Sequence, residues 1–162
     1  MKAKLNKIAI ALGGNLGDSV NIFCSALSKL GEGGVKNIKL SALFQSKPEN
    51  CPPGSPEFTN AALIGEWAGS PEELLELCQQ IEISAGRPEK HDLNAPRTLD
   101  LDIILFGYEI INSPNLQIPH PRAASRLFVL KPLAELAPDW IFPGINKTVK
   151  QIKQSCRESS LV

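Results

Sequence analysis

An α+β domain, in which a four-stranded antiparallel sheet carries two helices on one of its faces, is the fold that the sequence predicts. Three observations predict it. Segments of strand and helix periodicity follow one another as strand, helix, strand, strand, helix, strand. Leu99 to Leu105 is apolar at every odd position and holds Asp100 and Asp102 between them, as in a strand with one face in a core. Ser70-Pro71-Glu72-Glu73 carries the full signature of a helix start, with a capping serine, proline at the first helical position and a glutamate three residues on. One helix between the first two strands and another between the last two, joined by a central hairpin, is the ferredoxin-like arrangement. Its second sheet face stays available for a site.

The elements follow in order. Ile8 to Leu12 is a short buried strand ended by Gly13-Gly14. Asp18 or Ser19 caps a helix with Val20, Phe23, Leu27 and Leu30 on its apolar face, and Gly31, Gly33 and Gly34 stop it. Ile38 to Phe44 alternates as a strand with one apolar residue, Leu43, out of step. Lys47 to Pro56 is proline-rich and cannot be sheet interior. Asn60 to Trp67 is the third strand, and Leu74, Leu77, Cys78 and Ile81 face the core from the second helix, which ends near Gly86. A polar loop, Arg87 to Thr98, leads to the last strand. C-terminal additions follow: Arg122 to Leu136 is helical in part, interrupted by Pro132, and Thr148 to Cys156 is a last short helix.

Bulk properties narrow the function. The 162 residues suit one domain, residues 1–162. Lys plus Arg and Asp plus Glu are 17 each, so no overall field favours nucleic acid or an anionic membrane, and anions must be handled by local clusters. Cys24, Cys51, Cys78 and Cys156 form no metal-type spacing and suit reduced thiols. The apolar part of the N-terminus is too short for a signal peptide, so a cytoplasmic enzyme is expected.

Asp100 and Asp102 point to one face, about 7 Å apart for a rise of roughly 3.3 Å per residue. Two like charges so close are unfavourable unless a cation sits between them, and paired carboxylates suit Mg²⁺ shared with substrate phosphates. Taken alone they fit a solvated edge-strand face equally well. Arg87 and Arg97 flank this strand in sequence and would match a polyphosphate, or else are surface arginines in a polar loop. His120-Pro121-Arg122 with Arg126 is a second basic cluster; if helical, Arg122 and Arg126 share a face. Otherwise the histidine is an ordinary loop residue. Gly13-Gly14-Asn15-Leu16-Gly17 opens a helix after a strand but lacks the lysine of a phosphate loop, so it is weak evidence by itself.

Together these motifs resemble hydroxymethyldihydropterin pyrophosphokinase. The matching pieces are Ala11 to Asp18, Phe58-Thr59-Asn60-Ala61-Ala62, Gln80-Ile81-Glu82 through Gly86-Arg87, Ala95-Pro96-Arg97-Thr98-Leu99-Asp100-Leu101-Asp102-Ile103, and Pro119-His120-Pro121-Arg122 through Leu130. The likeness runs in order from about Ile8 to Pro143. The family's fold is ferredoxin-like. Its reaction is attack of the pterin hydroxymethyl oxygen on the β-phosphorus of ATP, giving AMP and the pterin diphosphate for folate biosynthesis.

By this resemblance Asp100 and Asp102 hold two Mg²⁺ ions, one bridging the α- and β-phosphates and one the β- and γ-phosphates. Arg87 and Arg97 bind ATP and stabilise the transferring group. Gln79, His120 and Arg126 are further ATP contacts, with Leu75 and Ile103 lining the adenine pocket. Gly13, Ser46, Phe58, Asn60 and Phe128 form the pterin pocket, where a flat polar ring wants apolar faces and an edge amide that donates and accepts. Glu82 matches a family acidic residue near the site, although a helix-surface carboxylate fits equally. Asn94-Ala95 stands where the family commonly has a tryptophan, Gly14 replaces a serine, Ser125 an acidic residue, and Glu89 an arginine of some members. The loops Lys47 to Pro56 and Arg87 to Thr98 are expected to close over bound ligands and exclude water. Small-molecule substrates, no nucleic acid, no membrane, association with other folate-pathway enzymes and a monomeric state complete the expectation. A ligand-binding regulatory module and a metal-dependent phosphohydrolase are the alternatives.

Overall fold

Odd and even residues of the first strand feed two different apolar clusters, and this division organises the molecule. In the computed structural model, which describes residues 4–47, 53–54, 56–86 and 98–160 (side chains to 156), β1 (Asn6–Gly14) is central. Its even residues Ile8, Ile10 and Leu12 join Phe23, Leu30, Leu63, Leu74, Cys78 and Ile81 in the larger cluster. Its odd residue Ala9 joins Ala62, Leu130, Leu133 and Phe142 in a second one, with Ala11 packed alongside.

The remaining strands are β2 (Lys36–Leu40), β3 (Phe44–Ser46), β4 (Phe58–Trp67) and β5 (Asp100–Phe106). They pair antiparallel in the order β2, β4, β1, β5, with β3 also on β4. The helices α1 (Ser19–Glu32) and α2 (Pro71–Ser84) supply the larger cluster from one face. This is the expected ferredoxin-like arrangement, with refinements. The single strand expected from Ile38 to Phe44 breaks because the Ser41 hydroxyl accepts the Ala62 N–H at 2.9 Å. At the same break the Ala42 N–H donates to Glu135, 93 residues away in sequence.

Asp18 caps α1, accepting the Asn21 N–H; Phe23, Ala26 and Leu30 are its buried residues, whereas Val20, expected on that face, is 58% exposed. The helix runs through Gly31 and ends at Gly33, and Gly34 takes φ 117°, a conformation glycine adopts without a Cβ penalty. Ser70 and Glu73 form the anticipated capping box on α2. Trp67 is a core residue whose indole N–H donates to the Ser70 carbonyl at 3.0 Å.

The C-terminal part covers the second sheet face. The hairpin β6 (Ile111–Ser113) and β7 (Leu116–Ile118) leads through a cis Ile118–Pro119 peptide to a 3₁₀ turn, Ala123–Ser125, and then to α3 (Leu127–Leu136). A short pair, β8 (Ile141–Phe142) and β9 (Lys147–Thr148), precedes α4 (Val149–Ser160). Arg126, between the turn and α3, is extended at φ −118° and ψ 108°, so Arg122 and Arg126 do not share a continuous helical face as expected.

A β-bulge separates the two halves of β5. Ile103 pairs Ile10 and Leu105 pairs Ala9, which leaves Ile104 as the extra residue. Leu99, Leu101 and Ile103 therefore face the larger cluster as anticipated, whereas Leu105 turns over and joins Ile104 in the second.

Candidate active site

The open part of the second sheet face becomes a cleft because β1 places small residues there. Gly13 pairs Asn60 on one side and Asp100 on the other; one position along, on the same face, Ala11 pairs Ala62 and Asp102. Paired residues of antiparallel strands share a face, so two rows cross three strands, with almost no side chain in the middle of either. A Cβ on Gly13 would lie 3.6 Å from Asn60 Oδ1. The missing side chain is floor space.

The cleft, about 140 Å³, is lined on one flank by Ser46, Lys47, Phe58 and Asn60, and on the other by Asp100, Asp102, Ile104 and His120. Arg126, Phe128 and Val129, at the start of α3, close its end. Five residues expected around a pterin (Gly13, Ser46, Phe58, Asn60 and Phe128) thus meet in one cavity with both aspartates, His120 and Arg126. Ala11, Ile104 and Lys47 also line it and were not anticipated. The first two were findable, being two residues from Gly13 and Asp102 on the same strand faces. Lys47 carried no signal.

Asn60 is 4% exposed, and its Nδ2 donates to Ser46 Oγ at 2.7 Å and to the Phe44 and Phe58 carbonyls at 3.4 Å. The donor side of the amide is thus committed to β3 and β4, which fixes its plane; the Oδ1 atom faces the Gly13 floor. Asn15 Nδ2 ties the loop after β1 to the carbonyl of Pro56, ahead of Phe58.

On the other flank the His120 N–H donates to the carbonyl of the bulged Ile104 at 3.2 Å, which anchors the loop beside β5. His120 Nδ1 accepts the Arg122 N–H, so a neutral ring carries its proton on Nε2. Burial pushes this imidazole below its ordinary value; Asp102 opposes that shift, and Arg126 and Arg122 add to it. Arg126 stacks over the Phe128 ring at 5.3 Å from its centroid.

Leu75 is half-buried against the larger cluster, Gln79 is exposed on α2, and Ile103 is 4% exposed in the core. None lines the cleft. Leu75, Gln79 and Glu82 instead recur at helical spacing on one stripe of α2. The stripe reaches the β5 edge, where the Leu101 N–H donates to Glu82 Oε2 at 2.8 Å. Arg87, Arg97, Glu89, Asn94 and most of both loops expected to close lie outside the described residues.

Among the described residues no group of three or more His, Cys, Asp or Glu is placed to hold a metal by itself. Two carboxylates beside an open cleft still fit Mg²⁺, which takes oxygen donors, keeps waters and completes its shell with substrate phosphates. No helix among them is long and apolar enough to cross a membrane.

An aromatic-walled cleft beside two carboxylates on a ferredoxin-like sheet has the make-up of a small-molecule site, and its carboxylates suit metal-assisted handling of phosphate. Residues 9–138 match the model of the 7,8-dihydro-6-hydroxymethylpterin-pyrophosphokinase (HPPK) family, and the chain belongs to that family. It is 41% identical over 134 residues to the 2-amino-4-hydroxy-6-hydroxymethyldihydropteridine pyrophosphokinase of Bacillus subtilis, covering 82% of this chain and 79% of that one. The protein of the same name from Pseudomonas aeruginosa is 37% identical over 143 residues, covering 86% and 85%. The folic acid synthesis protein fol1 of Pneumocystis carinii is 41% identical over 136 residues, or 84% of this chain, which spans only 18% of that longer protein. Wild-type Plasmodium falciparum HPPK-DHPS, crystallised with pteroate, superimposes over 100% of this chain and 45% of its own, with a TM-score of 0.74 at 14% identity, which supports the fold.

Proposed function

We propose that the protein transfers the terminal diphosphate of ATP to 6-hydroxymethyl-7,8-dihydropterin, releasing AMP and the pterin diphosphate in folate biosynthesis. The observation that carries this reading is the Asn60–Gly13–Asp100 row, which sets a ring-sized recess and a carboxylate side by side on one rigid sheet. Phe58 and Phe128 offer apolar faces to the pterin, and Gly13 leaves it room. Asn60 reads one polar edge, its plane held by Ser46.

Asp100 and Asp102 would hold two Mg²⁺ ions, which when bound would screen phosphate charge and make the attacking hydroxyl more acidic. His120 and Arg126, both lining the cleft, donate to phosphate oxygens. Leu75, Gln79 and Ile103 serve the adenine end, where the α2 stripe meets the β5 edge. Arg87 and Arg97, the second of them three residues before Asp100, supply positive charge to the transferring group. The reading carries with it a cytoplasmic monomer able to associate with other folate-pathway enzymes; the free thiols of Cys24 and Cys78 support a reducing compartment.

Incubation with ATP, Mg²⁺ and hydroxymethyldihydropterin, followed by chromatography for AMP, tests it. AMP that forms only with the pterin present is the expected outcome. Diphosphate released without the pterin would mean a phosphohydrolase, and no turnover would mean a non-catalytic module.

A further inference from the structure

Among the described residues β5 lies at an edge of the sheet, paired to β1 on one side. Edge strands carry a row of unpaired N–H and C=O groups and are easily displaced. Here that edge carries both acids, Asp100 and Asp102, so their separation is only as fixed as the strand itself. The residue between them does not leave its amide to solvent. Leu101 donates to Glu82 Oε2 at 2.8 Å, and Glu82 is half-buried on α2.

Antiparallel ladders alternate, so a strand whose Leu101 amide points away from β1 turns the backbone groups of Asp100 and Asp102 toward it. The five-atom reach of a glutamate from α2 thus completes a clamp: β1 holds the two acids' backbone, and Glu82 holds the residue between. Leu101 itself is 4% exposed and Leu99 fully buried, so the clamped segment is also seated in the core. Thr98 Oγ1 donates to the Ala85 carbonyl at 2.7 Å, a second tie from the end of α2 to the start of this strand.

We propose that Glu82 is a positioning residue. It sets the spacing of the Asp100 and Asp102 carboxylates by accepting the Leu101 amide, without touching nucleotide or pterin. The proposal rests on the pyrophosphokinase reading for its kinetic consequences, but not for its effect on metal binding. It assigns the role to the length and acceptor of the side chain, not to its charge.

Three variants separate these properties: Glu82→Gln keeps reach and acceptor, Glu82→Asp keeps charge but falls one methylene short, and Glu82→Ala keeps neither. Each is assayed for the Mg²⁺ concentration giving half-maximal turnover, and by calorimetry for Mg²⁺ binding with a non-hydrolysable ATP analogue. Loss of an outer-shell partner typically costs about 10–100-fold in metal affinity or activity. The aspartate and alanine variants should show a loss of that size in half-saturating Mg²⁺ while keeping the wild-type circular dichroism spectrum, and the glutamine variant should stay near wild type. A glutamine variant as impaired as alanine, or an aspartate variant like wild type, overturns the proposal. Should the wild-type chain make no AMP, the functional reading fails and calorimetry alone decides for Glu82. Should the wild type bind no metal with the nucleotide analogue, both fall.

Discussion

The guanidinium of Arg126 lies 5.3 Å from the centroid of the Phe128 ring, so the cation proposed to meet phosphate rests on the aromatic proposed to face the pterin. Such contacts are worth about 0.5–1 kcal/mol when exposed and about 2 kcal/mol when desolvated. Arg126→Ala should weaken pterin binding as well as nucleotide binding. A double-mutant cycle with Phe128→Leu, read by isothermal calorimetry for each ligand, should return a coupling of that size. Strict additivity would show the stacking to be energetically idle.

Gly13→Val should fold normally and bind pterin poorly. Its φ lies outside the left-handed region, so a side chain is sterically admissible on the backbone, but it would fill the floor beside Asn60 Oδ1. Forcing extra methyl groups into a packed site costs about 1–3 kcal/mol, or roughly 5- to 150-fold in affinity. Fluorescence titration with pterin and a thermal melt check the two halves of this statement.

Asp102→Asn should abolish nearly all turnover and leave the melting temperature close to wild type. The carboxylate is exposed in the cleft and contributes nothing to either core, while metal-assisted charge stabilisation is worth several kcal/mol, taken as an order of magnitude. Steady-state rates over a Mg²⁺ series provide the measurement.

Cys78 should resist alkylation while Cys24, exposed on α1, reacts. Burial, then the charges of Glu82 and Asp102, push the Cys78 thiol up to about 12 from 9.0, so the reactive thiolate is scarce at neutral pH. The folded state keeps a proton that the unfolded chain releases. Stability from this group is therefore complete below pH 9 and is lost as pH rises from 9 toward 12. Maleimide labelling with peptide mapping, native against denatured, tests the first claim.

Ser70→Ala should cost about 0.5–2 kcal/mol, the usual penalty for an N-cap, read by urea unfolding at neutral pH. The hydrogen bonds from the Ser70 backbone and side chain hold the Glu73 carboxyl below its ordinary value. The part that Glu73 contributes is present above the unfolded carboxylate pKa and is lost as pH falls through its depressed value. Wild type and Glu73→Gln should therefore draw together in stability under acid.

Local pattern carried the features that depend on near neighbours. The parity of Leu99 to Ile103, the capping box at Ser70 and the apolar face of α2 (Leu74, Leu77, Cys78 and Ile81) all follow from residues within a few positions of one another, and each stands as the sequence implied. Gly13, Phe58, Asn60 and Phe128 were named through family likeness, and register is what brings them into one cavity. What stayed hidden depends on distant partners. The break at Ser41 needs Ala62 and Glu135, and no window on the second strand contains either. The extended Arg126, which splits the expected helix, accompanies packing of α3 on a sheet made more than sixty residues earlier. Lys47 reached the cleft unannounced for a similar reason: its place follows from β3 pairing on β4.

The extra residue in β5 also makes chain length a functional quantity. On either side of it Ile103 and Phe106 serve the cluster shared with α1 and α2, Ile104 and Leu105 serve the C-terminal layer, and the Ile104 carbonyl holds His120. Deleting that residue would return the strand to plain alternation. Leu105 and Phe106 would keep their faces, but the carbonyl that holds His120 and a residue that lines the cleft would both be lost. Variation in this protein should therefore be tolerated at Ile104 as a change of side chain far more readily than as an insertion or a deletion.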